Sequence, residues 1–153
     1  MRLVDKKAFS GVEPILKNKR MDTWVTNLLD VPELIIERKC TGAIRKYLRE
    51  QLTLGGWPGT VKIDPSLGIT VFSIENHVAF DLQTGNMARA PYDLLKFQGL
   101  YASRRIDAAI FVLPTAKAAK IIGSNVANFE RVVREMEFFN RAVSVPLLVL
   151  AFE

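Results

Sequence analysis

The apolar positions change period near the middle of the chain. Up to Gly55 they recur every third or fourth residue; from Val61 onward they mostly alternate or run unbroken. The first spacing puts side chains on one face of a helix, the second on one or both faces of a strand. Residues 1–30 read as an irregular or partly helical segment, in which Trp24, Val25, Leu28 and Leu29 have helical spacing and dock on the rest. Asp30-Val31-Pro32-Glu33 has the chemistry of a helix start: a capping Asp, a Pro suited to the first turn and an acid at the positive end. Leu34, Ile36, Ala43, Ile44, Tyr47, Leu48 and Leu52 carry that helix on to Gly55-Gly56-Trp57-Pro58-Gly59, which ends it.

Strands are predicted over Val61–Ile63, Gly68–Ile74 and Val78–Gln83, the last two joined through Glu75-Asn76-His77. Thr84-Gly85-Asn86 closes the third strand. Pro91 opens a helix that runs to Arg104-Arg105. Asp107–Leu113 and Val145–Phe152 are apolar at nearly every position and read as strands covered on both faces. Between them, Ser124 or Asn125 caps a helix bearing Phe129, Val132, Val133, Met136 and Phe139 on one stripe. The order implies an α/β protein with an αβββαβ core, a mixed sheet flanked by helices. One domain is expected over residues 1–153, with 1–30 docking on a core at about 31–153.

Composition narrows the function classes. One cysteine, Cys40, and one histidine, His77, exclude an internal disulfide and any Cys- or His-rich metal site. No apolar run is long enough to span a bilayer, and the N-terminus has no signal-peptide core, so a cytoplasmic protein with no membrane partner is expected. The net charge of +5 suits a polyanionic partner without requiring one. No phosphate-binding loop, dinucleotide fingerprint or nucleophile elbow occurs.

The chemistry that remains lies around Asp81. It sits inside an apolar strand, where an acid is costly unless paired, hydrogen-bonded or bound to a metal. Gln83, two residues on, shares its face. Two readings stay open: a half-exposed strand with one polar face, or part of a hard-oxygen divalent-cation site, for which a second acid is needed. Glu75 and Asp64 are the candidates. A three-residue loop over Glu75–His77 brings Glu75 to the face of Asp81; a two-residue loop turns it away. Glu50 is a more remote carboxylate, in keeping with a solvated helix residue, since charged side chains are mostly exposed.

Phe80-Asp81-Leu82-Gln83-Thr84-Gly85-Asn86, with Ile74-Glu75 upstream, resembles the PD-(D/E)xK nucleases, in particular the BglII-like type II restriction endonucleases that carry Gln in place of the motif Lys. The later apolar strands resemble the family's core strands, and the likeness covers roughly Gly68–Glu153. It implies a restriction-endonuclease-like fold and a Mg²⁺-dependent DNA endonuclease, with Mn²⁺ as a substitute ion. Asp81 with Glu75 or Asp64 would hold the metal, and Gln83 would orient a water. Double-stranded DNA would be the partner and a homodimer the active form. Asn86, Arg89, Lys96, Arg104 and Arg105 would meet the nucleic acid. Glu75 stands where the family has Asp, and its distance from Asp81 is shorter than the family's. Both departures leave open a catalytically inactive module that binds nucleic acid or a protein.

Overall fold

Two unbroken apolar runs form the centre of the sheet. In the computed structural model, which describes all of residues 1–153, Ala108–Pro114 (β6) and Leu147–Phe152 (β7) pair in parallel with every residue buried. Val78–Leu82 (β5) runs parallel to β6 on the other side. Ser73–Glu75 (β4) closes this edge antiparallel to β5, and Leu3–Phe9 (β1) closes the opposite edge antiparallel to β7. The five-stranded order is β1-β7-β6-β5-β4. A separate two-stranded sheet pairs Val61–Asp64 (β2) with Ile69–Val71 (β3).

Helices cover both faces, which is why β5, β6 and β7 carry almost no polar residues. On one face, Val12–Asn18 (α1), Asp22–Asn27 (α2) and Thr41–Leu54 (α3) pack Leu16, Val25, Ile44 and Leu48 against Val78, Phe80, Ile110 and Leu150. On the other, Ala90–Ala102 (α4) and Phe129–Phe138 (α6) pack Leu94, Phe97, Val132 and Met136 against Ala79, Phe111 and Val149. Between β6 and α6 lies a short helix, Ala116–Ile122 (α5), capped by the Thr115 hydroxyl.

Four departures from the expected elements have physical causes. Residues 3–9 form an edge strand whose middle, Asp5-Lys6-Lys7, is exposed, so its charges hide it from an apolar pattern. The long helix starts at Thr41 rather than near Asp30. The Met1 backbone engages that of Val31 and Leu34, and Lys39 takes φ 67, which no right-handed helix allows. The strand expected over Gly68–Ile74 breaks at Phe72: Val71 is buried toward α4, and Phe72 on the α3 side against Phe80. Finally, Asn128, not Ser124 or Asn125, caps α6. The preceding residues are strapped to the loop after β5, with Met87 N–H donating to Asn125 O and Ala127 N–H to Gly85 O.

The end of α3 is set by packing. Trp24 stacks on Trp57 at 5.6 Å, and a Cβ on Gly55 would lie 2.4 Å from Cζ2 of Trp24. Gly55→Ala should therefore lower stability by about 1–3 kcal/mol through overpacking. Urea unfolding checks this, and a midpoint equal to the wild type would show that the indole moves aside freely.

Candidate active site

Strand parity decides which side chains meet. Val78, Phe80 and Leu82 of β5 face α3, so Ala79 and Asp81 face α4, and Gln83 follows them just beyond the strand end. This is the carboxyl end of a parallel strand, where open α/β sheets place their ligand crevices. Asn86 accepts from Ala88 N–H at 2.8 Å and starts a 3₁₀ turn, Met87–Arg89, that runs into α4 with Pro91 in its first turn. Asp93 and Lys96, one turn apart on α4, then face Asp81.

The four groups form a closed network. Lys96 Nζ donates to Asp81 Oδ2 at 2.9 Å, Asp93 Oδ1 at 2.8 Å and the Thr70 carbonyl at 2.9 Å. An ammonium has three hydrogens, so all are engaged. The other oxygen of Asp81 accepts from Leu82 N–H at 2.9 Å, and the other oxygen of Asp93 accepts from Gln83 Nε2. Gln83 Oε1 accepts from Gly85 N–H at 2.8 Å. Asp81, Gln83 and Asp93 are only 8%, 7% and 6% exposed, so partners rather than water satisfy them.

Burial pushes the Asp81 carboxyl above the ordinary range; Lys96 opposes this and Asp93 adds to it. Burial also works against the Lys96 charge, but Asp81 and Asp93 outweigh it, so this lysine holds its proton beyond the usual range.

Around the network opens a cleft of about 610 Å³. Arg45, Arg49 and Arg89 line it with Asn86 and Tyr92. Arg45 donates to the Leu82 carbonyl at 3.3 Å, and the Arg49 guanidinium lies 4.4 Å from the centroid of Phe72. None of the three arginines has an acidic partner. With Lys96, four cations face two carboxylates, so the cleft is net positive.

The structure brings Asp81, Gln83, Asn86, Arg89 and Lys96 together and leaves the other expected residues elsewhere. Glu75 pairs with Val78 across a two-residue turn, Asn76-His77, with φ 46 and 60. That register puts Glu75 on the face away from Asp81 and about 10 Å along the strand from it. Asp64 is spent on its own turn, accepting from Ser66 N–H, Ser66 Oγ and Leu67 N–H, and the Ser66 hydroxyl above all holds its carboxyl below the usual range. Glu50 is exposed and lies 4.0 Å from Lys46. Arg104 and Arg105 follow the far end of α4, about 20 Å from its start; Arg105 donates to the Ile63 carbonyl. Lys96, expected at phosphates, is bound to the two acids.

Sequence reasoning missed Asp93, Arg45 and Arg49. An acid in a helix's first turn ordinarily complements the dipole, and only its i,i+3 spacing to Lys96 hinted at a pair. Arg45 and Arg49 are i,i+4 on α3, a spacing that marks a shared face but not what lies opposite.

The model of the restriction endonuclease BglII/BglIII family matches residues 8–152. The crystal structure of restriction endonuclease BglII complexed with a DNA 16-mer is similar with a TM-score of 0.83 and 14% identity, covering 99% of this chain and 76% of that one. Free BglII gives a TM-score of 0.72 and 13% identity, covering 100% and 80%. No curated protein sequence matches the chain.

Removing Lys96 leaves two buried carboxylates facing each other. Lys96→Met should cost about 3 kcal/mol at neutral pH. A lysine whose pKa is raised on folding stabilises fully below its unfolded value, about 10.4, and loses that contribution as pH rises through the folded one. The stability gap between wild type and Lys96→Met should thus be level from neutral pH up to that value and shrink above it. Urea unfolding across the alkaline range tests this; a gap that persists would show that the ammonium charge is not what matters.

Proposed function

The chain belongs to the restriction endonuclease BglII/BglIII family, and from that membership we propose that it is a DNA endonuclease. It binds duplex DNA across the Asp81 cleft and hydrolyses phosphodiester bonds with the aid of a divalent ion. The observation that carries this reading is the clustering of three arginines without acidic partners around the Asp81–Gln83 strand end in one cleft. Guanidinium groups match phosphate oxygens in pairs and bind them at low desolvation cost.

The donor chemistry fits Mg²⁺ or Mn²⁺, since two carboxylates and a backbone carbonyl converge on one point. Asp81 and Asp93 are the residues that would hold the ion, and Glu75 and Asp64 lie outside their reach. Bound there, it would supply a water of lowered pKa and charge stabilisation at the phosphate. Gln83, through its amide, orients Asp93 rather than acting as a base, because an amide does not titrate. Arg45, Arg49 and Arg89 seat the phosphates flanking the reacting bond.

A homodimer belongs to the same proposal, because one cleft serves one strand of a duplex. Pro91, Leu95 and Gly99 stand four residues apart on the solvent side of α4, an uncharged face beside the cleft. Sedimentation of wild type and Leu95→Arg tests it: a dimer converted to a monomer is expected, and a monomeric wild type at high concentration would reject it.

The full engagement of Lys96 favours a second reading, a module that binds DNA without cutting it. Two measurements separate the readings. Duplex binding should weaken with salt at a log–log slope near −0.9 per phosphate contact, and Arg45→Ala with Arg49→Ala should flatten that slope by about 2. Mg²⁺-dependent cleavage should vanish in Asp81→Asn while duplex binding persists. Binding without cleavage by the wild type in Mg²⁺ or Mn²⁺ selects the second reading, and no binding at low salt removes both.

A further inference from the structure

Lys96 Nζ occupies the point at which the oxygen donors of the cleft converge. Asp81 Oδ2, Asp93 Oδ1 and the Thr70 carbonyl surround it at 2.8–2.9 Å, and it makes no other polar contact. A divalent ion of the size of Mg²⁺ needs the same oxygens at about 2.0–2.1 Å. An ammonium and such an ion cannot both occupy that point, on grounds of space and of like charge. The second oxygen of each carboxylate is turned away from this point and accepts from Leu82 N–H or from Gln83 Nε2.

We propose that Lys96 is the resident cation of this site and that its withdrawal from Asp81 and Asp93 is the condition for divalent-ion binding. Lys96 therefore sets the site's cation affinity and couples it to occupancy of the cleft by phosphates. The inference rests on the reading of the carboxylate pair as the ion's site. The coupling follows from where Lys96 can go. Its stem is fixed on α4, and the space beside it is the open cleft lined by Arg45, Arg49 and Arg89. A phosphate there offers the displaced ammonium acceptors to replace those it leaves. Phosphate and divalent ion then favour each other's binding, and the coupling is reciprocal. In the empty cleft, the three contacts of Lys96 oppose the ion.

Mn²⁺ binding to the full chain, followed by electron paramagnetic resonance without DNA, tests the proposal. Lys96→Gln, which removes the charge and keeps a hydrogen-bonding end, should bind Mn²⁺ about tenfold more tightly than wild type. A mixed-sequence duplex should strengthen Mn²⁺ binding to wild type and leave Lys96→Gln nearly unchanged. Mn²⁺ binding that is equal or weaker in Lys96→Gln overturns the proposal while leaving the metal site intact. Absence of Mn²⁺ binding from both proteins, with and without duplex, overturns the metal site itself.

A measurement on wild type keeps the proposal testable if the variant fails to fold. The shielded Lys96 ammonium should give a slowly exchanging ¹⁵N-lysine resonance that disappears as Mg²⁺ is titrated to saturation. A resonance unchanged at saturating Mg²⁺ overturns the displacement.

Discussion

Charge can sit inside the apolar sheet of this protein because Lys96 reaches back from α4 to meet it. An isolated carboxylate between Phe80 and Leu82 would cost several kcal/mol or stay protonated. Two carboxylates side by side would be worse. One ammonium with three hydrogens answers both acids and a stray backbone carbonyl, and Gln83 completes the set. Apolar packing of Leu94 and Phe97 holds α4 on the sheet, and the network aligns its first turns with the end of β5.

The same economy explains the contrast between the two ends of β5. At its start, the Asn76-His77 turn needs only residues that tolerate positive φ, and Glu75 can face away because nothing there requires an acid. At its end, Asp81, Gln83, Asp93 and Lys96 are all engaged with one another or with the backbone. Facing Asp81, the second buried acid comes from α4, as Asp93, while on the opposite side of the sheet Phe72 packs on Phe80 and supports Arg49.

Much of this was legible in the sequence. The apolar runs of β6 and β7, the turn after Leu82 and the oddity of Asp81 are local signals, each with one economical interpretation. The family resemblance rested on them and agrees with the family match and the fold. The rest depended on partners distant in the chain. β1 is held by β7, from the other end of the molecule, and its exposed charges mimic a surface loop. The late start of α3 is set by Met1, and that of α6 by the loop after β5. Asp93 looked like an ordinary helix-start acid because spacing reveals a face and not what lies across from it. The hairpin register of Glu75 turned on a single residue of loop length, which parity reasoning can frame but not decide.

The break at Phe72 joins two sheets that would otherwise be independent. Because Val71 and Phe72 are buried on opposite sides, the small β2–β3 sheet is clamped where it meets the main one. Thr70, one residue before the clamp, gives its carbonyl to Lys96. The outer ribbon is thus a lever with a short arm. A tilt that carries Thr70 an ångström outward takes away one of the three acceptors on the ammonium and leaves the other two in place. Arg105 ties the ribbon's other strand, at Ile63, to the far end of α4. The ribbon therefore meets the helix that bears Lys96 at two places, and a load on the exposed ribbon tip is felt at the buried charges.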